Sequence, residues 1–546
     1  MSRPATSDVD LLREADRPGF TEHLHAGAVR WDLVHPFPTS ARGDRAAREV
    51  VAVLRALVDP EQVDVTRELP DGVLAALGAR GYLNLAGGPD TGGHGLGHRE
   101  VFDVVEAAVA FCPAVGLAMA VDNALGFSAY LPVLPDGPLR EWVRDRVAAG
   151  VVSCTADTEP SGAHNSGRST TATPVTGGYR LDGRKIHVGN APAAGAFVVT
   201  ATLGDELRLV FVDAATPGVT VTARHDFLGL AGFPNGSVEL QDVFVPAEQV
   251  LVEPKHAGRL TPVSTRLVVL GRMHLIAAPS LAFARLASRC AASFVNRRAI
   301  DGRALGDYPE IRRQLAVAAA DVFAVETVVE WSLADHVAVN PLYEQLAAKN
   351  IASLAAWRVV DRALSVMAAE GLETAGSKAG RGADAAPLER VFRDARAMRV
   401  SGGVDFQLDN WAGRHLLTGY YEGAAVPDVV PDFSALTLSH RNAGHARFVA
   451  DQARRLASAC AELTARYPRE ELFERERTVI LLSRVVNELV AMALVLARAS
   501  TEDRQDLADV FCASASSRVH DAWRELGADE PDYARIALGL LAEVAP

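Results

Sequence analysis

Residues able to bind or transform a ligand gather in two stretches of this 546-residue chain. In the first, Thr158-Glu159-Pro160 ends a strand, because Pro160 cannot continue a β-ladder. Residues 161–169, SGAHNSGRS, are small and polar, the composition of a loop whose backbone approaches a ligand closely. Gly177-Gly178 and Asp182-Gly183 read as hairpin turns between short alternating strands. His187 follows at a strand end. Its imidazole titrates near neutral pH and is suited to acid or base work, or else it packs or bonds a backbone group there. The second stretch supplies guanidinium groups at Arg266, Arg297 and Arg312, and a carboxylate in Tyr421-Glu422-Gly423.

The elements that must position these groups follow from hydrophobic period. Spacing is helical from Asp44 to Val58 and from Val101 to Val121, with a break expected near Pro113. A short helix is expected from Leu69 to Gly81, and residues 1–40 read as an irregular lead-in. The period changes from 3.6 to 2 across 151–250 and back after Pro254, with long apolar runs at 264–295, 308–337 and 342–369. Gly371 to Pro387 is a small-residue insertion, and VPDVVPDF at 426–433 marks a boundary before a last helical part. The expected fold class is α+β, mainly α. Four domains are expected: a helical 1–150, a central β domain 151–253, a helical bundle 254–425 and an extra helical domain 426–546.

Composition excludes several classes. Hydrophobic residues make up 49% of the chain and charged residues 23%, ordinary for a globular protein, and a net charge of −13 argues against a nucleic-acid surface. No stretch of about 18 uninterrupted apolar residues signals a transmembrane segment, and the first residues lack the apolar core of a signal peptide. Five scattered cysteines fit buried thiols in a reducing cytoplasm and no metal site. Lysine occurs only at 185, 255, 349 and 378 against abundant arginine, which reads as the codon bias of a GC-rich genome.

The blocks Thr158-Glu159-Pro160, Gly178-Tyr179 to Lys185 with Asn190, Leu228-Gly229, and Asp242-Val243 with Val245-Pro246 resemble, in order and spacing, the middle domain of acyl-CoA dehydrogenases. AAWRVVD at 355–361 and ERVFRDAR at 389–396 resemble the helical domain of the very-long-chain type. Arg498-Ala499-Ser500, Cys512 and Arg518 resemble that type's extra carboxy-terminal domain. The resemblance covers roughly residues 45–530. It implies an N-terminal helical domain, a β-barrel-like domain, a helical bundle and an added helical domain, binding FAD and desaturating an acyl thioester. Thr158 would lie near the flavin pyrimidine edge, with His164 in place of the serine that meets the pyrophosphate. His187-Val188-Gly189 replaces the Trp-Ile-[Thr/Ser] that covers the ring, the Gly189 N–H standing where a hydroxyl bonds N5. Arg297 matches the adenosine-side arginine, Arg312 replaces a glutamine, and Ala368-Ala369-Glu370-Gly371 replaces G-G-x-G.

The family's base is a glutamate in one of two places, matching Gly402, counted nine residues from Arg393, and Thr265, just before Arg266. Neither residue abstracts a proton, so no catalytic residue is assigned. Tyr421-Glu422-Gly423 is either a relocated base or a linker turn. Gly402 would border the substrate. Arg266 would meet the CoA or thioester region, or else make a helix-surface ion pair.

Three functions compete: an FAD-dependent oxidoreductase of an acyl thioester on CoA or an acyl-carrier protein, with a non-standard base; a flavin-dependent monooxygenase on the same fold; and a catalytically silent subunit. The resemblance also implies a homodimer, since the family's flavin site is shared between subunits, and an electron-transfer flavoprotein as electron acceptor.

Overall fold

The computed structural model describes residues 19–162, 168–204, 206–251, 262–334, 339–423, 432–529 and 531–544. The described part of the lead-in, from residue 19, forms two short helices, α1 (Phe20–His25) and α2 (Trp31–Val34). Its large side chains, Phe20, Leu24, Trp31 and Val34, are buried, and the Phe20 ring meets Trp331 edge-on with centroids 6.5 Å apart. Thr21 donates through N–H and hydroxyl to the buried Glu344. A segment that reads as irregular is thus a strap, fixed by apolar burial that a short pattern does not show.

Next come α3 (Asp44–Leu57), α4 (Pro60–Thr66), α5 (Val73–Gly78), α6 (His98–Phe111), α7 (Pro113–Leu125), α8 (Phe127–Tyr130) and α9 (Pro138–Ala148). The expected break falls at Cys112, whose extended backbone lets Pro113 open α7, where its missing N–H costs nothing.

The middle of the chain is a sheet of β1 (Ser153–Ala156), β2 (Thr171–Val175), β3 (Gly178–Gly189), β4 (Ala196–Leu203), β5 (Glu206–Asp213), β6 (Val219–Arg224), β7 (Asn235–Pro246) and β8 (Val250–Leu251). The strand order is β6-β7-β3-β2-β4-β5-β8, with β1 parallel to β4. Both faces of β4 are covered. Phe197, Val199 and Ala201 enter the sheet's own core, while Ala196 and Val198 pack with Phe127, Tyr130 and Val143 of α8 and α9. Gly177-Gly178 is the expected turn between β2 and β3. Asp182-Gly183 is not a turn: β3 runs straight through it, with a register shift against β7 at Leu181/Gly183. Glycine is required there because a Cβ would overlap Thr170.

The chain returns to helix in α10 (Pro262–Leu270). A π-helical stretch, Gly271–Ala277, joins it without interruption to α11 (Ala278–Arg297). Then follow α12 (Pro309–Leu333), α13 (Leu342–Met367), α14 (Ala369–Leu372), α15 (Ala375–Gly380), α16 (Leu388–Met398) and α17 (Asp405–Tyr421). The small-residue insertion therefore holds two short helices. The carboxy-terminal part is α18 (His440–Arg466), α19 (Arg469–Glu474), α20 (Glu476–Glu502), α21 (Gln505–Leu526) and α22 (Tyr533–Glu543). Arg518 joins α21 to α20 through a paired contact with Glu488 at 2.6 and 2.8 Å. Most of the boundary motif at 426–433 lies outside the described residues.

By length and composition alone, Pro113–Val133, Thr265–Arg297 and Glu476–Glu502 could cross a membrane, but 72–83% of their apolar windows is buried inside the molecule. Their apolarity builds the core. The five cysteines are free and buried.

Candidate active site

The loop after β1 is held by a buried ion pair. Lys185 and Glu159 are both buried, Nζ to Oε1 2.8 Å, and Lys185 also donates to the Asp157 carbonyl and Thr200 hydroxyl. Burial alone would raise the Glu159 pKa. Donation from Lys185 and from Thr170 and Ser169 outweighs it and holds the group down to about 2. Two residues quoted for their pattern are therefore a staple between the loop and β3. Thr158 beside them is half-buried, its carbonyl accepts from Ile186 N–H at 2.8 Å, and its hydroxyl bonds no described residue. His164 lies outside the described residues.

At the other end of β3, a register shift between Lys185 and Val188 throws His187 into a left-handed backbone, φ +54°. Its exposed ring stands edge-on to His225, centroids 4.9 Å apart. His225 is fixed by Asn235 and Ser237. Partial burial, and then the nearby His225, push the His187 pKa below the usual histidine value, so its neutral form is favoured. Val188 is buried. Gly189 sits so close to Phe233 and Val121 that a Cβ would meet them at 3.1 and 3.2 Å. Asn190 is buried and donates to the Ala118 carbonyl and to Asp122. Asp122 also accepts from Ser153 N–H and hydroxyl, and its burial pushes its pKa up to about 8 against those bonds.

Across from the sheet, the helix pair around the π-helical stretch carries Thr265, Arg266 and Arg272. Arg266 is 2% exposed and its Nε donates to the Ala129 carbonyl at 2.7 Å. The guanidinium does not lie on the helix surface but ties α10 to α8. Burial lowers Arg272 to about 10, and its side chain bonds the Leu346 carbonyl and lies over Trp411. Gly402 occupies the turn between α16 and α17 with φ +69°, and a Cβ there would point toward Ile276 of the π-helical stretch, 3.5 Å away. The turn is held from below by the buried Lys349, which donates to the carbonyls of Gly403 (2.6 Å) and Arg399 (3.3 Å). Burial lowers Lys349 to about 8 despite Asp405 nearby. Tyr421-Glu422-Gly423 closes the far end of α17, 17 residues and so about 25 Å from that turn. Glu422 is an exposed cap there, and the relocated-base reading fails on distance.

The two remaining arginines do not converge with this group. Arg297 at the end of α11 is paired with Glu370 and lies 3.9 Å from Asp384. Ala368 keeps the left-handed backbone of a glycine, φ +51°, although the glycine is gone. Lys378 fixes the segment by donating to the carbonyls of Glu370 and Ala386. Arg312 is exposed and bonds locally to Asp307 and the Gly306 carbonyl.

A family model described as acyl-CoA dehydrogenase, middle domain, matches residues 154–243, and one described as acyl-CoA dehydrogenase, C-terminal domain, matches residues 262–416. The chain thus carries the middle and C-terminal domains of acyl-CoA dehydrogenases. The probable acyl-CoA dehydrogenase FadE10 of Mycobacterium tuberculosis is 26% identical, over 92% of this chain and 85% of its own length. The human mitochondrial short-chain specific acyl-CoA dehydrogenase is 27% identical, over 66% of this chain and 85% of its own. An acyl-CoA dehydrogenase from Bacillus anthracis, solved in complex with FAD, shares the fold over 96% of this chain and 95% of its own, with TM-score 0.75 and 18% identity.

The acyl-CoA dehydrogenase pattern also explains contacts that motif matching left without a role. Gly229 lies against α16, where any Cβ would overlap the Arg393 carbonyl. Leu230 N–H donates to Asp394, whose carboxylate is pushed up to about 6 by burial. Arg393 pairs with Asp64 of α4 at 2.8 Å, and Arg390 with Glu61 at 2.7 Å. The Leu-Gly and Arg-Asp motifs are two halves of one clamp between sheet and bundle. Only their distance in sequence hid it.

Proposed function

We propose that this acyl-CoA dehydrogenase family member is an FAD-dependent oxidoreductase of acyl thioesters, carried on CoA or a carrier protein, that works without a glutamate at either family position. The observation that carries this reading is the turn at Gly402. Its backbone is held in place by Lys349, and a Cβ at 402 would touch Ile276, so the turn keeps its support where the carboxylate is missing.

The residues at the ring end fit a flavin. Thr158 offers a hydroxyl that no described residue engages, and Gly189 stands where a Cβ would crowd Phe233 and Val121. The family member from Bacillus anthracis was solved with FAD. Bound FAD would accept the hydride from the β-carbon. This chain's own part is to orient and enclose: His187-Val188-Gly189 would cover the ring, while Arg266 holds α10 against α8. At the phosphate end Arg297 would have to leave Glu370. A homodimer completing the flavin site, and an electron-transfer flavoprotein as acceptor, belong to the same proposal, as does a cytoplasmic location.

The silent-subunit reading is favoured by that same Arg297–Glu370 pair. The visible absorbance of the purified protein decides between them. Flavin bands, present on purification or after adding FAD, with acyl-CoA-dependent dye reduction, support the oxidoreductase. Protein that stays colourless with added FAD is a silent subunit. Oxygen consumption coupled to an NAD(P)H reductase, without dye reduction, would mark a monooxygenase.

A further inference from the structure

Outside this site, a half-open cavity of about 450 Å³ lies between α11, α12, the end of α20 and the start of α21. Its charge is unbalanced. Arg285 is neutralised by Glu106 and Glu326, the latter at 2.7 Å, and Arg498 by Glu502 at 2.9 Å. Arg289 and Arg504, on opposite walls, carry no ion pair to any described residue. Ser288 lines the same wall as Arg289. Its hydroxyl oxygen is buried with no hydrogen-bond partner among the described residues, and it does not bond back along its helix as Ser280 does to the Ile276 carbonyl at 2.7 Å. The floor is apolar, with Phe323 and Leu507, and the Arg498 guanidinium lies 4.9 Å from the Phe323 ring centre.

The geometry points to a binding site for a phosphorylated organic molecule, its phosphate between Arg289, Arg504 and the Ser288 hydroxyl and its apolar part over Phe323 and Leu507. Two unpaired guanidinium groups match the two charges of a phosphate ester, and a buried hydroxyl without a partner gains its missing bond from a phosphate oxygen. A bare anion would leave the apolar floor uncovered. The inference stands whether or not the protein carries flavin.

The test is titration calorimetry on the full-length protein saturated with FAD, using inorganic pyrophosphate and ADP as probes. ADP should bind about tenfold tighter than pyrophosphate. Arg289→Gln and Arg504→Gln should each weaken both probes about tenfold, with flavin absorbance per chain unchanged. Both side chains are exposed, so the variants are expected to fold. ADP binding no tighter than pyrophosphate, or undiminished binding of both probes to the double variant, overturns the site. A fall in flavin content alongside ADP binding also overturns it, because ADP would then be reporting the flavin's own pocket.

Discussion

The two ends of α16 lead to junctions that have fared differently. Toward the sheet, Gly229, Leu230, Asp394, Arg393 and Asp64 are each engaged. Beyond the other end, at Gly402, the turn is equally well held by Lys349, but the side chain that would do chemistry is absent. Framework and reactivity are therefore carried by different residues. The carbonyl contacts that shape the turn do not depend on what the turn displays, so a reactive group can be lost without loss of shape.

The largest effect that would sharpen this contrast is a gain of function. Gly402→Glu should raise acyl-CoA-dependent dye reduction by on the order of 10²–10⁴-fold, the usual worth of a general base. The left-handed backbone at 402 should cost about 1–2 kcal/mol of stability. A folded, flavin-loaded variant with no gain for short or long chains would show that the turn no longer faces a thioester.

The opposite junction should fail structurally. Gly229→Ala forces a Cβ into the Arg393 carbonyl and should lower stability by roughly 2–4 kcal/mol, read as a fall in melting temperature. Gly376→Ala, in a short helix with open space around it, is the control and should be neutral. Equal melting temperatures for the two variants would mean that the clamp slides freely.

Away from both junctions' own contacts, Asp122, bonded to Ser153 and Asn190, predicts a pH dependence. Its folded pKa lies near 8 because of burial, against 3.8 for an unhindered carboxyl, so the folded state holds a proton that the unfolded state has released. The stability this contributes is complete below about pH 4 and is lost as pH rises toward 8. Denaturant midpoints at pH 5, 6.5 and 8 should fall for the parent and fall less for Asp122→Asn. Parallel slopes would show that Asp122 ionises without penalty.

The smallest effect concerns the phosphate end. Glu370→Gln should tighten FAD binding several-fold by releasing Arg297, while changing stability by less than about 1 kcal/mol, since the pair is partly exposed. Unchanged FAD affinity in a fluorescence titration would remove Arg297 from the phosphate subsite.

Element order and fold class were legible in the sequence because hydrophobic period is local, and the break at Cys112-Pro113 was legible because proline acts locally. What was not legible depends on partners far along the chain. Asp182-Gly183 has the composition of a turn, yet its glycine is demanded by Thr170 across the sheet. Arg266 read as either a thioester contact or a surface ion pair, although Leu267, Val268 and Val269 beside it already signalled burial. The described lead-in is held by partners some three hundred residues on, Trp331 covering Phe20 and Glu344 accepting from Thr21. The site positions were legible one at a time through the resemblance. That Arg297 faces a carboxylate from the Ala368–Gly371 segment was not, because only the fold brings them together.

Lysine scarcity, which composition assigns to codon usage, has a different distribution in space. Lys185, Lys349 and Lys378 are all fully buried, each donating to carbonyl or carboxylate oxygens in a space suited to a compact ammonium rather than a guanidinium fork. The fourth, Lys255, lies outside the described residues. Thioesters acylate free amines, whereas guanidinium groups stay protonated at neutral pH. The described surface, cationic through arginine alone, therefore offers reactive acyl groups no side-chain amine. Treated with an acetylating reagent and mapped by mass spectrometry, the folded protein should leave 185, 349 and 378 unlabelled. The order in which those three take up label on heating would then time the opening of the loop staple, the turn at 402 and the segment beside Arg297.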